Sequence, residues 1–64
     1  MKVRYDKEVD ILYIRLNDVP IHESDEDTPG IILDYSADGA IVGIEVLDAS
    51  RQGIQLSKLE YEVA

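Results

Sequence analysis

Asp34-Tyr35-Ser36-Ala37-Asp38-Gly39, with Glu45 following six residues on, sets oxygen-bearing side chains at alternate positions around a glycine and closes on a carboxylate. That is the spacing of a calcium-binding EF-hand loop, and Ile41 falls at the apolar position such loops carry. Asp34, Asp38 and Glu45 are therefore the candidate ligands of a divalent-metal module. In an EF-hand, however, the loop folds around the ion and helices carry its ends. Here the flanking residues alternate like β-strands, which places Glu45 within a strand, opposite Ile32, and Asp38 beyond the ladder at a turn. Each residue then has a local role without any ion: Asp38-Gly39 makes the turn, while Asp34 and Glu45 keep an outer sheet face wet.

Other chemistry is sparser. The run Glu23-Ser24-Asp25-Glu26-Asp27 offers carboxylates for a hard cation or a basic partner, but like charges in sequence repel and stay solvated. His22 is the sole histidine; it neighbours Glu23 and has no nucleophile or second ligand beside it. Ser24, Ser36, Ser50 and Ser57 lack the context of a nucleophile elbow. The absence of cysteine excludes disulfides, thiolate catalysis and thiolate-bound zinc. No glycine-rich phosphate loop occurs, and carboxylate pairs are abundant through composition alone. The chain is expected to be no enzyme and to carry no cofactor.

These side chains must be positioned by β-structure. Lys2-Val3-Arg4-Tyr5 alternates polar and apolar, and Ile11 to Leu16 is rich in β-branched and aromatic residues. The polar connection Asp6–Asp10 makes these a hairpin; pairing Tyr5 with Asp10 sets Val3 beside Leu12 on the core face. Ile31–Tyr35 and Ala40–Leu47 form a second hairpin around Asp38-Gly39. A two-residue loop there pairs Tyr35 with Val42, Leu33 with Ile44 and Ile31 with Val46; a four-residue loop from Ser36 to Gly39 keeps the same faces. A one-residue slip would mix the faces and is disfavoured. Between the hairpins, residues 17–29 read as an irregular loop, long at about 13 residues, with a brief extended piece near Val19–Ile21. Asp48 can cap a helical turn that Gly53 ends. Lys58 to Val63 alternates as a fifth strand, with a helix through Leu56, Leu59 and Val63 as the competitor. The expected fold is α+β but mostly β: an antiparallel meander of four to five strands, two successive hairpins plus a C-terminal strand, with one short helical turn near residues 48–53.

All 64 residues make one domain, and so short a chain buries only about 60% of its unfolded surface. The core face (Val3, Tyr5, Leu12, Ile14, Leu16, Ile31, Leu33, Tyr35, Val42, Ile44 and Val46) has one short helical turn to cover it. It must curl on itself or meet another polypeptide, so a homodimer is expected, or pairing with another protein. With 14 Asp and Glu against six Lys and Arg, the net charge of −8 disfavours phosphate backbones and permits a basic partner. No apolar run reaches the roughly 20 residues needed to span a bilayer, and no signal-peptide core opens the chain; a soluble cytoplasmic protein without membrane contact is expected.

Three segments taken together carry a family likeness: YDKEVDILYI over residues 5–14, GIILDY over residues 30–35, and GAIVGIEVLDAS over residues 39–50. In that order they resemble the small bacterial and archaeal family known as domain of unknown function 2283, a likeness that fades beyond Ser50. The resemblance implies a compact fold unit without an established activity. Some members of that family look like antitoxin partners of small neighbouring toxins, a role that the acidity of this chain would suit.

Overall fold

The computed structural model describes residues 1–64 as a single five-stranded, wholly antiparallel sheet. The strands are β1 (Lys2–Asp6), β2 (Ile11–Arg15), β3 (Glu23–Thr28), β4 (Ile31–Tyr35) and β5 (Ile41–Leu47), followed by a 3-10 turn at Ala49–Arg51. Their order across the sheet is β1-β2-β5-β4-β3. The β1–β2 hairpin therefore docks against β5, while β3, β4 and β5 follow one another by hairpins. This is the spatial order of a Greek key rather than a simple meander.

The first hairpin pairs Tyr5 with Leu12, Val3 with Ile14 and Arg4 with Tyr13. It stands two residues from the expected register, and a shift of two leaves every side chain on its expected face. The loop lengthens because Asp10 takes a left-handed conformation (φ 56°) and Asp6 accepts a hydrogen bond from the Glu8 amide at 3.0 Å. In the β4–β5 hairpin, Ile31–Val46, Leu33–Ile44 and Asp34–Gly43 pair as the burial pattern requires. The tip differs from both expected loops. Ser36 pairs with Ala40 through its amide (2.9 Å), and the Gly39 amide bonds back to the Ser36 carbonyl at 3.0 Å, which closes a three-residue loop with Gly39 at φ 87°. Such a loop slips the ladder by one residue. The register shift between Asp34 and Tyr35 undoes the slip by leaving Val42 as the extra residue of β5, and Val42 is 1% exposed.

The placement of two expected elements is also corrected. Residues 17–29 are not all loop: Glu23–Thr28 is the fifth strand, joined to β4 at Pro29-Gly30, with Gly30 at φ 85°. Pro followed by a glycine at positive φ is the chemistry of a type II turn. Conversely, no strand or helix forms over residues 58–63. Gly53 takes a positive φ of 75° at the start of the tail. The tail then lies on the apolar face, where Ile54, Leu56 and Leu59 border a 130 Å³ cavity with Val3, Leu12 and Ile14. A segment lying on a face has no ladder to join. The 3-10 turn sits where a helical turn was expected, but Asp48 does not cap it: Asp48 is itself left-handed (φ 50°) and makes no capping hydrogen bond.

Candidate functional site

On β1, β2, β4 and β5, strand alternation sorts the charged side chains onto one face, whereas on β3 Glu23 and Asp25 pair with Tyr35 and Leu33 and share the apolar face. Lys2, Arg4, Asp6, Ile11, Tyr13, Arg15, Ile32, Asp34, Gly43, Glu45 and Leu47 all lie opposite the apolar face, as their cross-strand pairings dictate. Asp34 is buried at 4% exposure because its partner Gly43 has no side chain; a Cβ there would stand 2.8 Å from the Asp34 carboxylate. From the other side, β3 brings the Ser24 hydroxyl to donate to Asp34 Oδ1 at 2.6 Å. Glu45, one strand position away on β5, lies beside this group. Its carboxyl is held above the usual range, first by burial, then by hydrogen bonding to Asp34 and by the Asp34 charge. Asp34 and Glu45 are thus neighbouring carboxyls, and Glu45 holds its proton above the ordinary carboxylate range.

Asp38 does not join that pair. The Ser36 hydroxyl, itself buried, donates to it at the hairpin tip, and this bond lowers the Asp38 pKa. No group of three or more His, Asp or Glu converges anywhere in the chain in a manner that could hold a metal ion. Of the three candidate ligands, the fold gathers two and sends the third elsewhere. The acidic run becomes the outer edge strand β3, with Glu23, Asp25, Glu26 and Asp27 all exposed. Glu26 accepts the Gly30 amide at 2.9 Å and so braces the turn. His22 is exposed beside that strand, and its amide extends the ladder to the Tyr35 carbonyl at 2.7 Å.

The residues not foreseen as a cluster meet at Asp10. Its carboxylate accepts the Tyr5 hydroxyl (2.6 Å), the Ser50 amide (3.0 Å) and the Ser50 hydroxyl (2.6 Å), while its carbonyl accepts the Ala49 amide at 3.0 Å. The Ser50 hydroxyl, then Tyr5 and the Ser50 amide, hold Asp10 below the ordinary carboxylate range; Asp10 in turn raises the Tyr5 phenol. Ala49 is fully buried beneath this junction. Forty residues separate Asp10 from Ser50, so no local sequence signal connects them. The junction is a clasp between the first hairpin and the 3-10 turn. The three donors to the Asp10 carboxylate all belong to the chain itself, one from Tyr5 and two from Ser50.

The fold defines a small acidic antiparallel-sheet protein. Residues 2–50 match the family model described as "Protein of unknown function (DUF2283)", which is more than half of the chain, and the protein belongs to that family. No curated protein and no solved structure matches it. The Asp10 clasp joins the two segments most characteristic of the resemblance, YDKEVDILYI and VGIEVLDAS, so in this chain they meet as one structural element.

Proposed function

We propose that this protein is a non-catalytic interaction module whose apolar sheet face closes against a second copy of the chain. The observation that carries this is the shortfall of the core. Only Val42, Val46 and Ala49 are buried apolar side chains, whereas Tyr5, Leu12, Ile14, Ile31, Leu33, Tyr35 and Ile44 on the same face are half-covered and Val3 is 39% exposed. The molecule is 33 × 31 Å across and only 20 Å thick, one sheet with a partial cover. A face of that breadth supplies the roughly 800 Å² per partner of a standard interface. A second copy offers the same face, and two-fold pairing satisfies both at once. The acidic edge strand β3 stands at the rim, where its charge opposes further strand addition.

Sedimentation equilibrium at micromolar concentration tests this reading. The expected mass is that of a dimer, with Leu33→Lys giving a folded monomer; a wild-type monomer that melts cooperatively overturns it. One observation favours a second reading. The exposed carboxylates Glu23, Asp25, Glu26 and Asp27 form a continuous acidic edge that complements a basic polypeptide, as an antitoxin-like partner of a small basic protein would require. Capture of such a protein that fails when these four are neutralised supports this second role; capture that persists removes it.

A further inference from the structure

Three of the six cations of this acidic chain, Lys2, Arg4 and Arg15, line one shallow cavity of about 410 Å³ together with Tyr13 and Asp18. Lys2 and Arg15 are direct cross-strand partners, and Arg4 lies diagonal to Arg15 on the same face. Like charges placed directly opposite on a sheet are destabilising unless something offsets them. Little within the chain does. Arg4 pairs with Asp6 at 3.2 Å and stacks 5.9 Å above the Tyr13 ring; neither Lys2 nor Arg15 has a carboxylate within salt-bridge distance. An edge strand carries cations as a guard against strand addition, which accounts for Lys2 and Arg4 on β1. It does not account for Arg15, on β2, which is paired on both sides. The Arg15 guanidinium is moreover held in place by two backbone carbonyls, those of Asn17 (2.8 Å) and Val19, which fix its direction without neutralising its charge. The loop supplying them is itself braced, since the Val19 amide donates to the Asn17 side chain at 3.0 Å.

We infer that this cavity is a binding site for a small phosphate-bearing anion, with Arg15 as the fixed fork, Lys2 as the mobile point charge and Arg4 closing the third side. Guanidinium and ammonium groups together suit a compact dianion, because the fork gives directed hydrogen bonds and the lysine adjusts to what remains. A nucleic-acid strand does not fit, since its successive phosphates need a row of cations and this surface turns acidic beyond these three. Asp18 at the side of the cavity limits affinity for a bare anion and provides an acceptor for a hydroxyl or amine on the ligand.

Titration of the isotope-labelled protein with inorganic phosphate, observed by amide NMR at low ionic strength, tests the site. Saturable shifts confined to residues 2–4, 13 and 15–19 are expected, about tenfold weaker binding in Lys2→Gln and in Arg15→Gln, and tighter binding in Asp18→Asn. Lys2→Gln alters an exposed side chain that forms no hydrogen bond or ion pair, so its effect is independent of any disturbance of the Arg15 loop. Shifts that do not saturate, that chloride reproduces at equal ionic strength, or that survive Lys2→Gln unchanged overturn the assignment.

Discussion

Asp34 and Glu45 show how a fold can keep two residues of a metal-loop spacing together and part them from the third, Asp38. Their alternation with apolar neighbours already sets them on one face, because a strand turns its side chains with period two. What alternation alone does not give is the Ser24 hydroxyl, which arrives on a strand that reads as a loop, or the room above Gly43 in which Asp34 is buried. The pair has a consequence for stability. The folded-state pKa of Glu45 lies above its ordinary value of 4.5, so its contribution is fully present below that value and is lost as pH rises through the folded pKa. Asp10 and Asp38 act in the opposite direction: their folded pKa values are lowered, and what they contribute is lost as pH falls through those values. Glu45→Gln removes the ionised form at all pH. Its melting temperature should exceed that of the wild type near pH 7, and the advantage should vanish below about pH 4. An equal advantage at both pH values would mean that the carboxyl pair is not its source.

At the scale of elements, the clasp at Asp10 ties a hairpin loop to the 3-10 turn over the buried Ala49. The Ser50 hydroxyl bond to Asp10 is charge-assisted, so Ser50→Ala should lower the urea midpoint of unfolding. In an Asp10→Gly background, where glycine tolerates the left-handed backbone and no carboxylate remains, the same substitution should cost almost nothing. Urea melts of the four proteins measure this coupling; equal losses in both backgrounds would dissolve the clasp. The two principal hairpins were legible because each pairs apolar residues with apolar residues around a recognisable turn. β3 was not, because Glu-Ser-Asp-Glu-Asp-Thr has neither alternation nor strand propensity, and it becomes a strand only by accepting the exposed edge of β4. Its one available signal was Pro29-Gly30 immediately before β4. The expected C-terminal strand failed for the converse reason: Lys58 to Val63 alternates well, but no sheet edge receives it.

The whole molecule is a sheet with one charged face, one largely apolar face that Glu23 and Asp25 of β3 border, and a tail laid across part of the latter. The family match ends at residue 50, and the covering residues Ile54, Leu56 and Leu59 lie beyond it. Residues 54–64 make no hydrogen bond to the sheet; the amide of Lys58 bonds to Gln55 and its side chain to Glu60, both within the tail. Apolar contact alone therefore holds the tail in place, and it covers surface that the proposed second copy would use. Truncation after Gly53 should lower the melting temperature at low protein concentration and tighten self-association by about tenfold, read by sedimentation; unchanged association would separate the tail from the interface. No helix here is long and apolar enough to cross a membrane. The sequence by itself determined which residues face together and where the two main hairpins turn, because period-two alternation and turn chemistry are local properties of the chain. Only the tertiary structure decided that β2 docks on β5, that an acidic run becomes an edge strand, and that Asp10 reaches Ser50. Strand neighbours and distant clasps depend on which edges and donors remain unsatisfied once the hairpins have formed, and that is settled by the assembled sheet.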